Sequence, residues 1–299
     1  MRLCSTGQQP VDAPHVPLGD VTVSIPLASL DVRHVPIQHI HVVYFANLYV
    51  NPEHGVRFVR DHLALTLDLP LWTFLHQRVD RTVVQWSVVI SGPPSSRAET
   101  AATIAALFPS VESVELIYTT DNCHELPGLS VLWRAAHYQC TDGVSLYFHA
   151  KGISRCARPP PVNHLLTTTV LHPTALHVLE HLQGIDRVGM TNAAHGFMWY
   201  NFFWIRNRLA ARLERPRRVA RRHYYEDWSC RILHQPEAPD DAATASDCWP
   251  RAEERETPYE DCGRYACTAA NCFALRGSRP PRWTNIGAAF DPPQALGWA

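Results

Sequence analysis

The stretch Asp142–Ser154 reads DGVSLYFHAKGIS, and its reading decides the fold. Asp142 and Gly143 turn the chain, Val144 to Phe148 has the β-branched and aromatic composition of a strand, and His149 to Ser154 falls just past its carboxyl end. Lys151, in this stretch, is the single lysine among 27 lysine and arginine residues. Arginine presents a planar fork, whereas lysine is a compact point charge on a flexible stem, suited to a phosphate or an anionic leaving group approached end-on. His149 and Lys151 alternate across the strand terminus and so share a face, and Gly152 removes a side chain beside them.

Upstream, strand and helix patterns alternate. Ile40, Val42, Val43, Tyr44 and Phe45 make a strand, and Val56, Val59, Leu63 and Leu67 recur at helical spacing after Pro52. Val83 to Ile90 is a β-branched run ending at Gly92, Pro93 and Pro94; Ser96 with Glu99 gives a capping-box signature for a helix to Phe108. Val111 to Tyr118 predicts a strand ending in Thr120, Asp121 and Asn122, and Leu129 to Cys140 a helix. Downstream of Pro159, Pro160 and Pro161, the pattern predicts a helix over Leu165–Leu182 and a short strand over Asp186–Met190. The aromatic block Phe197–Trp204, a basic helix to Leu213 and the segment Tyr224–Leu233 follow. Such alternation specifies an α/β fold in a single domain. In open α/β sheets ligands bind beyond the carboxyl ends of the strands, which is where the single lysine lies.

The domain spans 36–235. Residues 1–35, with Pro10, Pro14, Pro17 and Pro26, read as an extended leader, and 236–299 as an irregular or disordered tail containing cysteines. With 46% hydrophobic residues the chain has material for a sizeable core, and a formal net charge of -1 supplies no global field toward nucleic acid or an anionic membrane. No apolar run has the length of a membrane span or the form of a signal peptide, so the expected location is cytoplasmic. The nine cysteines are scattered, and Cys248, Cys262, Cys267 and Cys272 lack the paired spacings of a structural zinc site, so they read as reduced thiols.

Outside the lysine stretch, three features bear on chemistry. Arginines gather between Arg206 and Arg222, as diphosphate clamps or as a solvated charge run. Phe197, Trp199, Tyr200, Phe202, Phe203 and Trp204 supply aromatic surface for stacking on a sugar or base, or for core packing. Glu226 and Asp227 stand between Tyr225 and Trp228, where desolvation can make a carboxylate a general base, or where the pair can serve a helix N-terminus.

In their order along the chain, Tyr147–Gly152, Asn201–Trp204 and Glu226–Trp228 resemble the segments of small GT-A-type glycosyltransferase-like proteins: a strand ending in Tyr-His-Thr-Lys-Gly, an aromatic Gly-Asn-Phe-Trp-Trp segment, and a Glu-containing segment near a Trp. Here Ala150 stands for the threonine, Tyr200 for the glycine and Phe203 for a tryptophan, and the Asp-any-Asp metal motif of GT-A enzymes is missing. The resemblance implies a GT-A-like fold, a Rossmann-type mixed sheet flanked by helices, and transfer of a sugar from a nucleotide-sugar donor to a glycan or other hydroxyl acceptor. It assigns Glu226 or Asp227 as base, His149, Lys151 and Gly152 to the donor and its phosphates, and Asn201, Trp204 and Trp228 to the acceptor or sugar pocket; Asp121 and Asn122, at the end of another strand, are the further candidates for contact with the donor. Mn²⁺ or Mg²⁺ is the implied cofactor, with His149 as its candidate ligand. Two other classes stay open: a non-catalytic module of the same fold binding a nucleotide or glycan, favoured by the missing acidic motif, and RNA binding through Arg206–Arg222, disfavoured by the neutral net charge.

Overall fold

A computed structural model describes residues 35–78, 82–109, 114–138, 142–181, 186–189, 199–219 and 223–233, together with the backbone of 265–267, 273–276 and 282–285. The predicted leader 1–35, apart from Val35, and most of the predicted tail 236–299, including the side chains of Cys248, Cys262, Cys267 and Cys272, lie outside the described residues.

Elements follow in the order β1 (His39–Asn47), α1 (Gly55–Leu67), α2 (Pro70–His76), β2 (Val83–Ser91), α3 (Arg97–Leu107), β3 (Val114–Thr119), α4 (Leu126–Tyr138) and β4 (Val144–His149). Then come α5 (Pro161–Val170), α6 (Pro173–His181), β5 (Arg187–Gly189), β6 (Phe203–Arg206), α7 (Asn207–Ala210) and α8 (His223–Asp227). The strand order is β3-β2-β1-β4-β6-β5, with β1 to β4 mutually parallel where they pair, and β6 antiparallel to both β4 and β5. This is the expected Rossmann-type mixed sheet flanked by helices. Beyond β5 the backbone continues into β7 (Tyr265–Cys267), β8 (Phe273–Arg276) and β9 (Arg282–Asn285), with β7 parallel to β5. Strands of three or four residues are too short to establish a period, which is why the tail shows none in the sequence.

The pleat divides the strand residues between two helical layers. Val42, Tyr44, Ala46, Val88, Ile90, Leu146, Phe148 and Trp204 face one core with α1, α2, α5 and α6. Val43, Phe45, Val89, Tyr147, Phe203 and Ile205 face the other with α4, α7 and α8. Because both faces are covered, the central strands read as near-continuous apolar runs rather than as alternating ones. Helix α1 buries Val56, Val59 and Leu63 of the stripe its spacing predicted, with Leu67 partly buried, and adds His62 and Thr66 to the same core.

Three local expectations need correction. The predicted helix over Leu165–Leu182 is two helices, because Pro173 cannot donate to the preceding turn and disfavours helical geometry at His172. The basic helix shrinks to Asn207–Ala210, since Leu213 leaves it to bridge Ile232. The capping box at Ser96 does not form: Ser96 already has helical φ and ψ, and its side chain makes no capping bond.

Candidate functional site

Register fixes the edge on which the site stands. Phe45 pairs with His149, Asn47 with Ser91, and Ser91 with Thr119, so the carboxyl ends of β1 to β4 finish together. Beyond them opens a cleft of about 690 Å³, whose lining includes Asn47, His124, Glu125, His149, Lys151, Gly152, Arg155, Tyr200 and Tyr225.

The loop after β4 is held from two sides. Asn163 Nδ2 donates to the Lys151 carbonyl (3.2 Å), and Asn51 Nδ2 donates to the carbonyls of Ile153 (2.7 Å) and Cys156 (3.1 Å). At Gly152 φ is +87°, and a Cβ would lie 2.7 Å from Pro160 Cγ. Only glycine takes this left-handed turn at no steric cost. Gly152→Ala is therefore expected to destabilise the protein by at least about 1–2 kcal/mol, read as a lower urea midpoint at unchanged slope. An unchanged midpoint refutes the turn's role.

Glu125 is the carboxylate of the cleft, with its side chain 14% exposed. Its Oε2 accepts from Asn201 Nδ2 (2.8 Å) and from the Tyr147 hydroxyl (3.3 Å), while Oε1 stands 4.0 Å from His149 Nε2. Burial, and then Glu125 itself, holds the Tyr147 phenol well above its usual pKa, so it stays a donor. His149 Nε2 lies 2.7 Å from the Tyr200 carbonyl oxygen, which can only accept; this nitrogen therefore carries the proton and donates. With the proton on Nε2, Nδ1 is the ring nitrogen of His149 left with a lone pair. Among the described residues, no group of three or more His, Cys, Asp or Glu side chains is arranged to hold an ion, so His149 is not joined there by further protein ligands of these types in such a group.

Backbone strain gathers here. Among the described residues, the non-glycine positions with positive φ are His124 (43°), Tyr200 (70°) and Asn201 (52°). His124 and Tyr200 line the cleft, and Asn201 lies directly beneath it, 1% exposed, also donating to the Tyr225 carbonyl (2.8 Å). Residues in such conformations persist where their surroundings over-determine them. Lys151 Nζ sits over the Tyr200 ring, 4.4 Å from its centroid.

Of the residues singled out in the sequence, His149, Lys151 and Gly152 line the cleft. Asn122 borders it through Asn47, whose Nδ2 donates to Asn122 Oδ1 (3.0 Å). Asp121 does not line it: its carboxylate is paired with Arg218, and its carbonyl accepts from the Ser91 hydroxyl. Asn201 acts from below, as the clamp on Glu125, rather than as pocket surface.

Trp204 and Trp228 need correction as pocket residues. Both are fully buried, Trp204 donating to the Val170 carbonyl (2.7 Å) and Trp228 to that of Glu214 (2.7 Å). A β6 strand covered on both faces turns its whole aromatic run inward. Glu226 is half-buried on α8 and does not line the cleft; the Asp227 side chain lies outside the described residues. The sequence reading passed over Glu125, Tyr147 as its partner, and Arg155. The available signal for Glu125 was its place in the loop following the β3 strand, beside Asp121 and Asn122.

The arginines from Arg206 to Arg218 are largely committed within the chain. Arg206 donates to the Leu179 carbonyl, Arg208 pairs with Asp186 (3.1 Å), Arg217 with buried Glu214 (3.1 Å), Arg218 with Asp121, and Arg215 covers the Trp133 ring. Arg221 and Arg222 lie outside the described residues.

No protein-family model matches the chain, and no curated protein matches it. Among solved structures it is similar to one titled crystal structure of 4-diphosphocytidyl-2C-methyl-D-erythritol synthase, at 11% identity over 58% of this chain and 78% of that one, with a TM-score of 0.29. At that level the likeness bears on neither activity nor substrate. Among the described residues, no helix is long and apolar enough to cross a membrane.

Proposed function

We propose that this protein transfers a sugar from a nucleoside diphosphate sugar to a hydroxyl acceptor, with the diphosphate at Lys151 and Arg155 and the acceptor hydroxyl at Glu125. The observation that supports this reading is the meeting of an ammonium and an oriented carboxylate in one cleft at the carboxyl edge of a parallel sheet. Glu125 has Oε2 fixed by two donors, whereas no hydrogen bond from a described residue falls on Oε1. Oε1 is thus the atom that takes the acceptor proton as the acceptor oxygen bonds to the anomeric carbon. The bond from that carbon to the phosphate oxygen breaks, and the diphosphate leaves with the electron pair, its charge neutralised by Lys151 and the exposed Arg155. Tyr147 and Asn201 orient the carboxylate, and His149 fixes the Tyr200 carbonyl above it. No step is assigned to a metal.

The test is titration calorimetry against a panel of uridine, guanosine and cytidine diphosphate sugars, with and without Mn²⁺. Lys151→Ala is expected to weaken donor binding about 10- to 100-fold, the worth of a hydrogen bond to a charged group. Arg60→Ala, at an exposed α1 residue paired with Asp61, serves as the control and leaves it unchanged. Equal losses in both variants, or no binding by the wild-type protein, would refute the assignment. Binding without turnover on any acceptor favours the non-catalytic module, a reading that the missing Asp-any-Asp motif supports.

A further inference from the structure

Tyr200 breaks a backbone preference in a place where doing so exposes an aromatic ring. At φ +70°, ψ 4° glycine is the default residue, and an L side chain costs about 1–2 kcal/mol. The adjoining Asn201, at φ +52°, repeats the strain. What holds the pair in this conformation is the site itself: His149 Nε2 donates to the Tyr200 carbonyl, and Asn201 Nδ2 donates to Glu125 and to the Tyr225 carbonyl. The result is a large ring left 39% exposed in the cleft wall while most other aromatic rings nearby are buried. Core packing does not account for such a ring, and the Lys151 ammonium stands over it, 4.4 Å from its centroid.

Resting on the nucleotide-sugar reading above, we infer that Tyr200 is the sugar-stacking residue of the cleft, and that its ring holds the Lys151 ammonium over the place a diphosphate will occupy. The direction of the ligand follows from the placing of the carboxylate. Both Tyr200 and Glu125 line the cleft, and His149 Nε2 links them, 2.7 Å from the Tyr200 carbonyl oxygen and 4.0 Å from Glu125 Oε1. A carboxylate that deprotonates the acceptor must lie near the anomeric carbon. The sugar end of the donor therefore meets Tyr200, and the nucleoside end extends away from it. An aromatic face offers a pyranose ring the apolar contact that its carbon-bound hydrogens seek, while the cation–π contact keeps the ammonium in place until phosphate oxygens outbid the ring.

The experiment compares wild type, Tyr200→Phe and Tyr200→Gly by calorimetry, using the tightest-binding nucleotide sugar of the panel and the matching sugar-free nucleoside diphosphate. For Tyr200→Gly we expect the nucleotide sugar to bind roughly three- to tenfold more weakly, the span of an aromatic contact, and the nucleoside diphosphate to bind as in wild type or more tightly. Tyr200→Phe keeps the ring and should match wild type with both ligands. Thermal melting of Tyr200→Gly is expected to stay at or above the wild-type midpoint, because glycine relieves the positive φ. Equal weakening of both ligands would transfer the ring to the nucleoside end and overturn the proposal, as would no weakening of either. If wild type binds neither ligand, the nucleotide-sugar reading fails first and this inference falls with it.

Discussion

Glu125→Gln is expected to lower turnover by about 10²- to 10⁴-fold, the range of a positioned general base, while donor affinity holds within about twofold. Glutamine preserves the shape, and its carbonyl oxygen can still accept from Asn201 and Tyr147. The variant should therefore fold, losing only the basic oxygen at the Oε1 position. Glu226→Gln, on α8 and away from the cleft lining, is expected to keep most of its rate. Steady-state kinetics with a competent donor and acceptor separate the two. A large loss in Glu226→Gln with Glu125→Gln intact would return the base to α8, where the sequence alone had suggested it. Because Tyr147 bears on the proposed proton transfer through Glu125, its replacement by Phe should reduce kcat less than removing the carboxylate, and combining it with Glu125→Gln should add little further loss.

Mild acid is expected to destabilise the fold steeply between pH 6.5 and 5. Burial lowers the His41 pKa from 6.5 to about 4, and burial together with the charge of His149 lowers that of His62 from 6.5 to about 3. His62 is enclosed by Tyr44, whose hydroxyl lies 3.2 Å from Nδ1, and by Thr167, whose Oγ1 lies 2.9 Å from Nε2; His41 Nε2 meets Ser87 Oγ at 2.9 Å. For each histidine the folded state favours the neutral ring. Above pH 6.5 both states are neutral and the stability is fully present. As pH falls through 6.5 the unfolded chain takes up protons that the folded chain refuses. Each histidine then removes about 1.4 kcal/mol per pH unit until its folded pKa is reached. Urea titrations at several pH values measure the slope, which His62→Gln should reduce by about 1.4 kcal/mol per pH unit as pH falls toward 5. An unchanged slope in that variant would show that His62 does not carry the effect.

The fold was legible because it rests on local pattern. Val83–Ser91 and Val144–His149 are β-branched and aromatic runs of strand length, and the α1 stripe recurs at helical spacing; these signals survive any tertiary arrangement. The sequence misread helices where one residue changed the backbone, at Pro173, and where long-range pairing decided the end, at Leu213. The site was half legible. A lone lysine past a strand end marks the carboxyl edge without any knowledge of neighbours, because strand direction alone puts it there.

Glu125 could not be distinguished from other acidic residues in the chain by type or spacing. It became the carboxylate of the cleft only when Asn201, 76 residues away, and Tyr147 converged on its Oε2. The same limit governed the aromatic block. Sequence fixes that Phe202, Phe203 and Trp204 are large and apolar, but whether a ring faces ligand or core depends on how many faces of its strand are covered. Here both are covered, so Trp204 went inward with its neighbours, and Tyr200, four residues earlier on a strained backbone, leaves its ring exposed in the cleft wall. Residue type, period and strand direction are properties of the chain and were readable from it; convergence and burial are properties of the packed sheet, set by contacts between segments that the sequence holds far apart.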